Sequence, residues 1–134
     1  MNNTEKVLER LTDVIENKSE LPSVSDYETL KTAISKYGIV NQIDMAIEEM
    51  SELTKALLKH KRYARLTEHE GANEQEAAKI YADVCEEMAD VIIMLNQLQM
   101  IYDNKKEVSF CINSKVERLK ARMEGGKENE QHNA

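Results

Sequence analysis

Tryptophan is missing from this chain of 134 residues, phenylalanine and proline each occur once, and glycine occurs four times. With so few turn formers, and with Glu, Lys, Leu, Met, Ala and Ile predominating, the composition favours helix over strand. No strand-like alternation and no internal repeat stands out. The two cysteines, Cys85 and Cys111, form no CxxC pair and are expected to be buried, reduced thiols. No charged-then-apolar segment opens the chain and no apolar run reaches membrane-spanning length, so a cytoplasmic protein without membrane contact is expected. Positive charge is also in short supply. The formal net charge is −7, which argues against a nucleic-acid polymer as partner. It leaves room for a small phosphorylated ligand, because a bound cation reverses the local sign.

The apolar periodicity predicts five helices in one domain, near the size at which self-association commonly adds buried area. A short amphipathic helix over 4–17 carries Val7, Leu8, Leu11, Val14 and Ile15, and the stretch "NKSELPSVS", punctuated by Pro22, breaks it. Ser25 and Glu28 have capping-box spacing, so a second helix should start at Asp26, with Leu30, Ile34 and Tyr37 as its stripe and Gly38 after its end. A third is expected from about Asn41 to Tyr63, followed by a polar loop over 65–73. Asn73 and Glu76 have cap spacing for a fourth, from Glu74 to about Tyr102, and a fifth should cover about 107–123. The polar tail 125–134 reads as disordered. The expected architecture is an all-α bundle of four main helices over 24–124, preceded by the short helix of 1–23.

The acids are the unusual feature. Successive side chains on a helix lie about 100° apart. On the third helix the main apolar stripe is Ile43, Ala46, Ile47, Met50, Leu53 and Leu57. Asp44, Ser51, Lys55 and Lys59 look outward, with Glu48 at the edge. Glu49 and Glu52 fall on a different line, Met45, Glu49, Glu52, Ala56, Tyr63, which is a second and mixed seam. On the fourth helix, apolar nearly all round from Val91, the line Asp83, Glu87, Asp90, Met94, Gln97, Ile101 places Glu87 and Asp90 on a row that is otherwise core. Two helices thus each offer carboxylates at i, i+3 from a partly apolar seam. Four such groups either protonate in part or gather round a cation; the alternative is a solvated acidic face. An all-oxygen donor set suits Mg²⁺ first and Mn²⁺ second. A di-iron bundle would carry Glu-x-x-His, whereas His60, His69 and His132 stand on a helix, a loop and the tail.

"EEMSE" (48–52) followed by "EMAD" (87–90) resembles the EExxE and ExxD motifs of the MazG-like all-α nucleoside triphosphate pyrophosphohydrolases, relatives of the dimeric dUTPases. "YGIVNQIDMAIEEMSEL" (37–53), "ADVIIML" (89–95) and "KVERLKARMEGG" (115–126) are similar to the flanks of those motifs. The likeness covers about residues 36–126. It implies Glu49, Glu52, Glu87 and Asp90 as Mg²⁺ ligands, with Glu48 in support. It also implies cleavage of a nucleoside triphosphate between the α and β phosphates, and a homodimer or homotetramer in which helices of different subunits complete the site. The chain departs from the family in lacking an upstream Trp and in a longer stretch between the motifs.

Phosphoanhydride cleavage needs phosphate charge neutralised and a water aimed in line. Lys115, Arg118 and Arg122 share one flank of the last helix and read either as phosphate contacts or as a solvated flank. Lys55 could reach a phosphate, and Asn41 and Gln42 could touch sugar or base, although a helix cap explains Asn41 equally well. The competing function is a non-catalytic helical assembly or regulatory module that retains the bundle.

Overall fold

The structure is a computed structural model that describes residues 5–6, 24–71 and 73–132; the expected helix over 4–17 lies almost wholly outside them. Every element among the described residues is helical: α1 (Tyr27–Tyr37), α2 (Ile39–Glu70), α3 (Glu74–Tyr102) and α4 (Lys105–His132). No helix among them is long and apolar enough to cross a membrane.

The helix ends follow local chemistry. Asp26 caps α1, accepting from the Thr29 backbone N–H at 3.1 Å and from the Thr29 hydroxyl at 2.8 Å. The cap is therefore Asp26 with Thr29, in place of the expected Ser25 and Glu28 pair. Gly38 has φ 91° and ψ 152°, a conformation open essentially to glycine alone, so one residue both ends α1 and starts α2. The Asn41 side chain donates back across this break to the Tyr37 carbonyl at 2.7 Å. Asn73 caps α3 as its spacing predicts, accepting from the N–H groups of Gln75 and Glu76.

Two boundaries differ from expectation. Helix α2 continues through 65–70, read above as a polar loop, and stops at Gly71. The segment is polar but holds no breaker before that glycine, and a solvated helix end has the same composition as a loop. Helix α4 likewise runs to His132, through most of the tail expected to be disordered.

α2 and α3 form an antiparallel hairpin, and α1 packs on both. The Tyr63 hydroxyl closes the turn, donating to the Asn73 carbonyl at 2.8 Å and accepting from the Asn73 N–H at 3.0 Å. At the other end of the hairpin Gln42 Nε2 donates to Gln97 Oε1 at 2.7 Å, inside the core. Leu30, Ala46, Ile80 and Met94 are the buried apolar residues. Helix α4 has no extensive packing interface with the other three among the described residues.

The buried face of α2 draws on both expected lines. Of the mixed line, Glu49, Glu52, Ala56 and Tyr63 are half-buried and Met45 is exposed. Of the apolar stripe, Ala46 is buried and Ile43 and Leu53 are half-buried, while Ile47 is 59% and Leu57 45% exposed. Small Ala46, from the stripe, and Ala56, from the mixed line, both lie on this face, and Ile47, Met50 and Leu57 are turned away. On α3 one face is buried but Met88 and Leu95 are exposed, so in the single chain it is not a central helix. Both cysteines are exposed, contrary to expectation, because Cys85 faces away from the hairpin seam and α4 packs on nothing that would cover Cys111.

Gln42→Leu should cost roughly 1–3 kcal/mol in chemical denaturation, because it strands the Gln97 amide oxygen in the core. The double variant Gln42→Leu/Gln97→Leu should recover most of that loss; two additive losses would show that the amide pair is not coupled.

Candidate metal centre

The hairpin brings the acids of two separate motifs to one level. Glu49 lies seven residues after Gln42 and Asp90 seven before Gln97, so each is about two turns from the buried amide pair along its own rod. Glu49, Glu87 and Asp90 each offer an oxygen that lies within 4.8 Å of the other two. Glu49 and Glu87 are half-buried and Asp90 is exposed. Three carboxylates at this separation form a group able to hold a metal ion, and an all-oxygen set fits a hard divalent cation.

The electrostatics agree with that fit. Partial burial raises the Glu49 carboxyl above the ordinary glutamate range, and the charges of Asp90, Glu87, Glu48 and Glu52 raise it further. Partial burial likewise raises Glu87, with the charges of Asp90, Glu52, Glu86 and Asp83 adding to it. Ionised acids so placed repel one another, and a cation among them removes that cost.

Glu52 stands outside the group of three. Its Oε1 takes the Lys55 ammonium at 2.9 Å, an i, i+3 ion pair with Lys55 largely exposed. This hydrogen bond, then the Glu52 charge, hold the Lys55 ammonium above its ordinary value. Lys55 thus neutralises the fourth carboxylate while three others converge beside it. Glu48 is exposed and acts on the site through its charge on Glu49.

The remaining residues singled out by the sequence are scattered. Gln42 is 7% exposed and committed to Gln97, so it does not present its amide to solvent. Asn41 spends its side-chain amide on Tyr37. Lys115, Arg118 and Arg122 line a hollow on α4 whose other walls are Val116, Leu119 and Ala121 of the same helix. The single chain does not bring this row to the acids.

Sequence reading placed Lys59 on the outward face and Asp83 on the acid line without a role at the site, and passed over Arg62. With Glu52, Lys55, Ala56 and Glu87 they line an open groove of about 460 Å³ along the hairpin, beside the acids. The signal was there for the cations, since Lys55, Lys59 and Arg62 recur at steps of four and three on one helix face. No family model, curated protein or solved structure matches this chain.

In a chelator at pH 7, Glu87→Gln should raise the melting midpoint above that of the wild type, because it removes one of the repelling charges. Native wild type binds more protons than the unfolded chain between the raised values of Glu49 and Glu87 and the ordinary glutamate value, so its own stability rises as pH falls through that window. The gap between variant and wild type should therefore close on acidification. A gap that is constant from pH 7 to pH 4 would remove the electrostatic account.

Proposed function

We propose that this chain is a Mg²⁺-dependent nucleoside triphosphate pyrophosphohydrolase of the MazG-like kind, acting in the cytoplasm on a dNTP or a non-canonical NTP. The observation that carries the reading is the convergence of Glu49, Glu87 and Asp90, drawn from two motifs nearly forty residues apart, onto one point. The motif resemblance, the oxygen-only donor set and the mutual repulsion of the acids support it.

In this reading Glu49, Glu87 and Asp90 hold the ion, and Glu52 joins them as the fourth ligand. Bound Mg²⁺ supplies charge neutralisation on the phosphate oxygens and acidifies water. The chain's own residues do the rest. The half-buried walls of the hairpin orient the triphosphate. A carboxylate of the cluster accepts the proton of the attacking water, with Glu48 adding negative charge beside it. Water oxygen forms the new bond to the α phosphorus. The bond from that phosphorus to the α–β bridging oxygen breaks, and the electron pair leaves with pyrophosphate. The products are the nucleoside monophosphate and pyrophosphate.

The reading includes a homodimer or homotetramer. Its support is the apolar surface left open: Ile47, Leu57 and Leu58 on α2, and Phe110, Val116, Leu119 and Met123 on α4, are all at least 45% exposed. Association of copies would cover these residues and offer a route for Lys115, Arg118 and Arg122 to reach acids of another subunit.

Purified protein given a panel of NTPs and dNTPs with Mg²⁺ should release pyrophosphate and the monophosphate. Glu52→Gln and Asp90→Asn should each abolish turnover while helical circular dichroism is unchanged. Release of single phosphate would point to a different bond and sink the mechanism. A panel without any turnover, together with a melting midpoint indifferent to Mg²⁺, would favour a non-catalytic assembly module.

Sedimentation should find the wild type as an oligomer and Leu119→Asp shifted towards monomer. A wild-type monomer at micromolar concentration would overturn the assembly.

A further inference from the structure

The groove beside the acid cluster has two walls of opposite character. Lys55, Lys59 and Arg62 stand on the α2 side, one turn apart and following Glu52, and Asp83 and Glu87 stand on the α3 side. Lys55 is already engaged, its ammonium held by Glu52 at 2.9 Å. Lys59 and Arg62 form no ion pair with any described residue, although acids line the facing wall. Two cations that take part in no ion pair therefore line an open groove whose facing wall includes Glu87 of the carboxylate group.

A triphosphate gathered at those carboxylates must run its remaining negative groups along the surface. On the α3 wall it would meet Asp83. On the α2 wall it meets first Lys59 and then Arg62, one step of four and one of three beyond Lys55. An arginine fork matches two oxygens of a phosphate, and a lysine acts as a point charge on a third.

We propose that Lys59 and Arg62 form a binding strip on α2 for the terminal diphosphate of the substrate, the part that leaves as pyrophosphate. This rests on the hydrolase reading above for the identity of the substrate, but not for the binding itself. The strip gives a role to the two groove cations that pair with none of its acids. It also assigns the phosphates to residues within the same chain as the acids, independent of the row on α4.

The test is calorimetric titration of inorganic pyrophosphate in Mg²⁺ into the intact protein, comparing wild type, Lys59→Gln/Arg62→Gln and Lys61→Gln. Lys61 lies on the same helix but does not line the groove. The double variant should weaken pyrophosphate binding tenfold or more, with helical circular dichroism unchanged. Lys61→Gln should bind as wild type, and affinity for a nucleoside monophosphate should be the same in all three. Wild-type affinity in the double variant, an equal loss in Lys61→Gln, or absence of pyrophosphate binding by the wild type would overturn the strip. A wild type that binds pyrophosphate through these two residues but hydrolyses no nucleotide keeps the strip and removes the hydrolase reading. A wild type that hydrolyses nucleotides, with unaltered pyrophosphate affinity in the double variant, does the reverse.

Discussion

The register between α2 and α3 is fixed at both ends by polar contacts, and everything at the site inherits it. At the turn, one tyrosine hydroxyl takes both the N–H and the carbonyl of Asn73. At the far end, a single amide hydrogen bond joins Gln42 to Gln97 in the core. A slip of one residue on either rod would turn side chains by about 100° and carry the acids off their common level. Buried polar pairs are well suited to this task, because a shifted register leaves both partners unsatisfied.

Between those two anchors the seam is electrostatically costly. Acids at i, i+3 on each rod face acids on the other, and partial burial adds to their repulsion. The chain compensates once, with the Lys55 pair on Glu52, and leaves the other three acids uncompensated. The small core of Leu30, Ala46, Ile80 and Met94 must hold the rods together against this. The arrangement therefore works against stability, and either protonation or a bound cation relieves it.

Much of this was legible in the residues. The all-α class followed from composition and period, and Asn73 and Gly38 marked helix ends through cap chemistry and positive φ. Alignment of Glu49 with Glu52 and of Glu87 with Asp90 was visible from helical spacing alone. Which seam faces the partner helix was not. Ile47, Met50 and Leu57 belong to the more apolar stripe but are exposed, while Ala46 from that stripe and Ala56 from the mixed line lie on the buried face, and period alone does not weigh side-chain bulk against close approach. Polarity misled at 65–70 and in the tail, where solvated helix and loop have the same composition. The pairing of Gln42 with Gln97 was out of reach, because contacts between residues 55 apart have no local trace.

The tyrosine bracket at Asn73 has a mechanical side. A hairpin pinned at its turn can part only as a pair of shears does, with the turn as pivot and the Gln42–Gln97 end as the tips. Glu49 is 14 residues from Tyr63, and Gln42 is 21. With a constant rise along each rod, separation at the carboxylates is about two-thirds of that at the tips. Whatever wedges or squeezes the open end, including the angle that α1 takes at Gly38, is therefore passed on to the acids in reduced but fixed proportion.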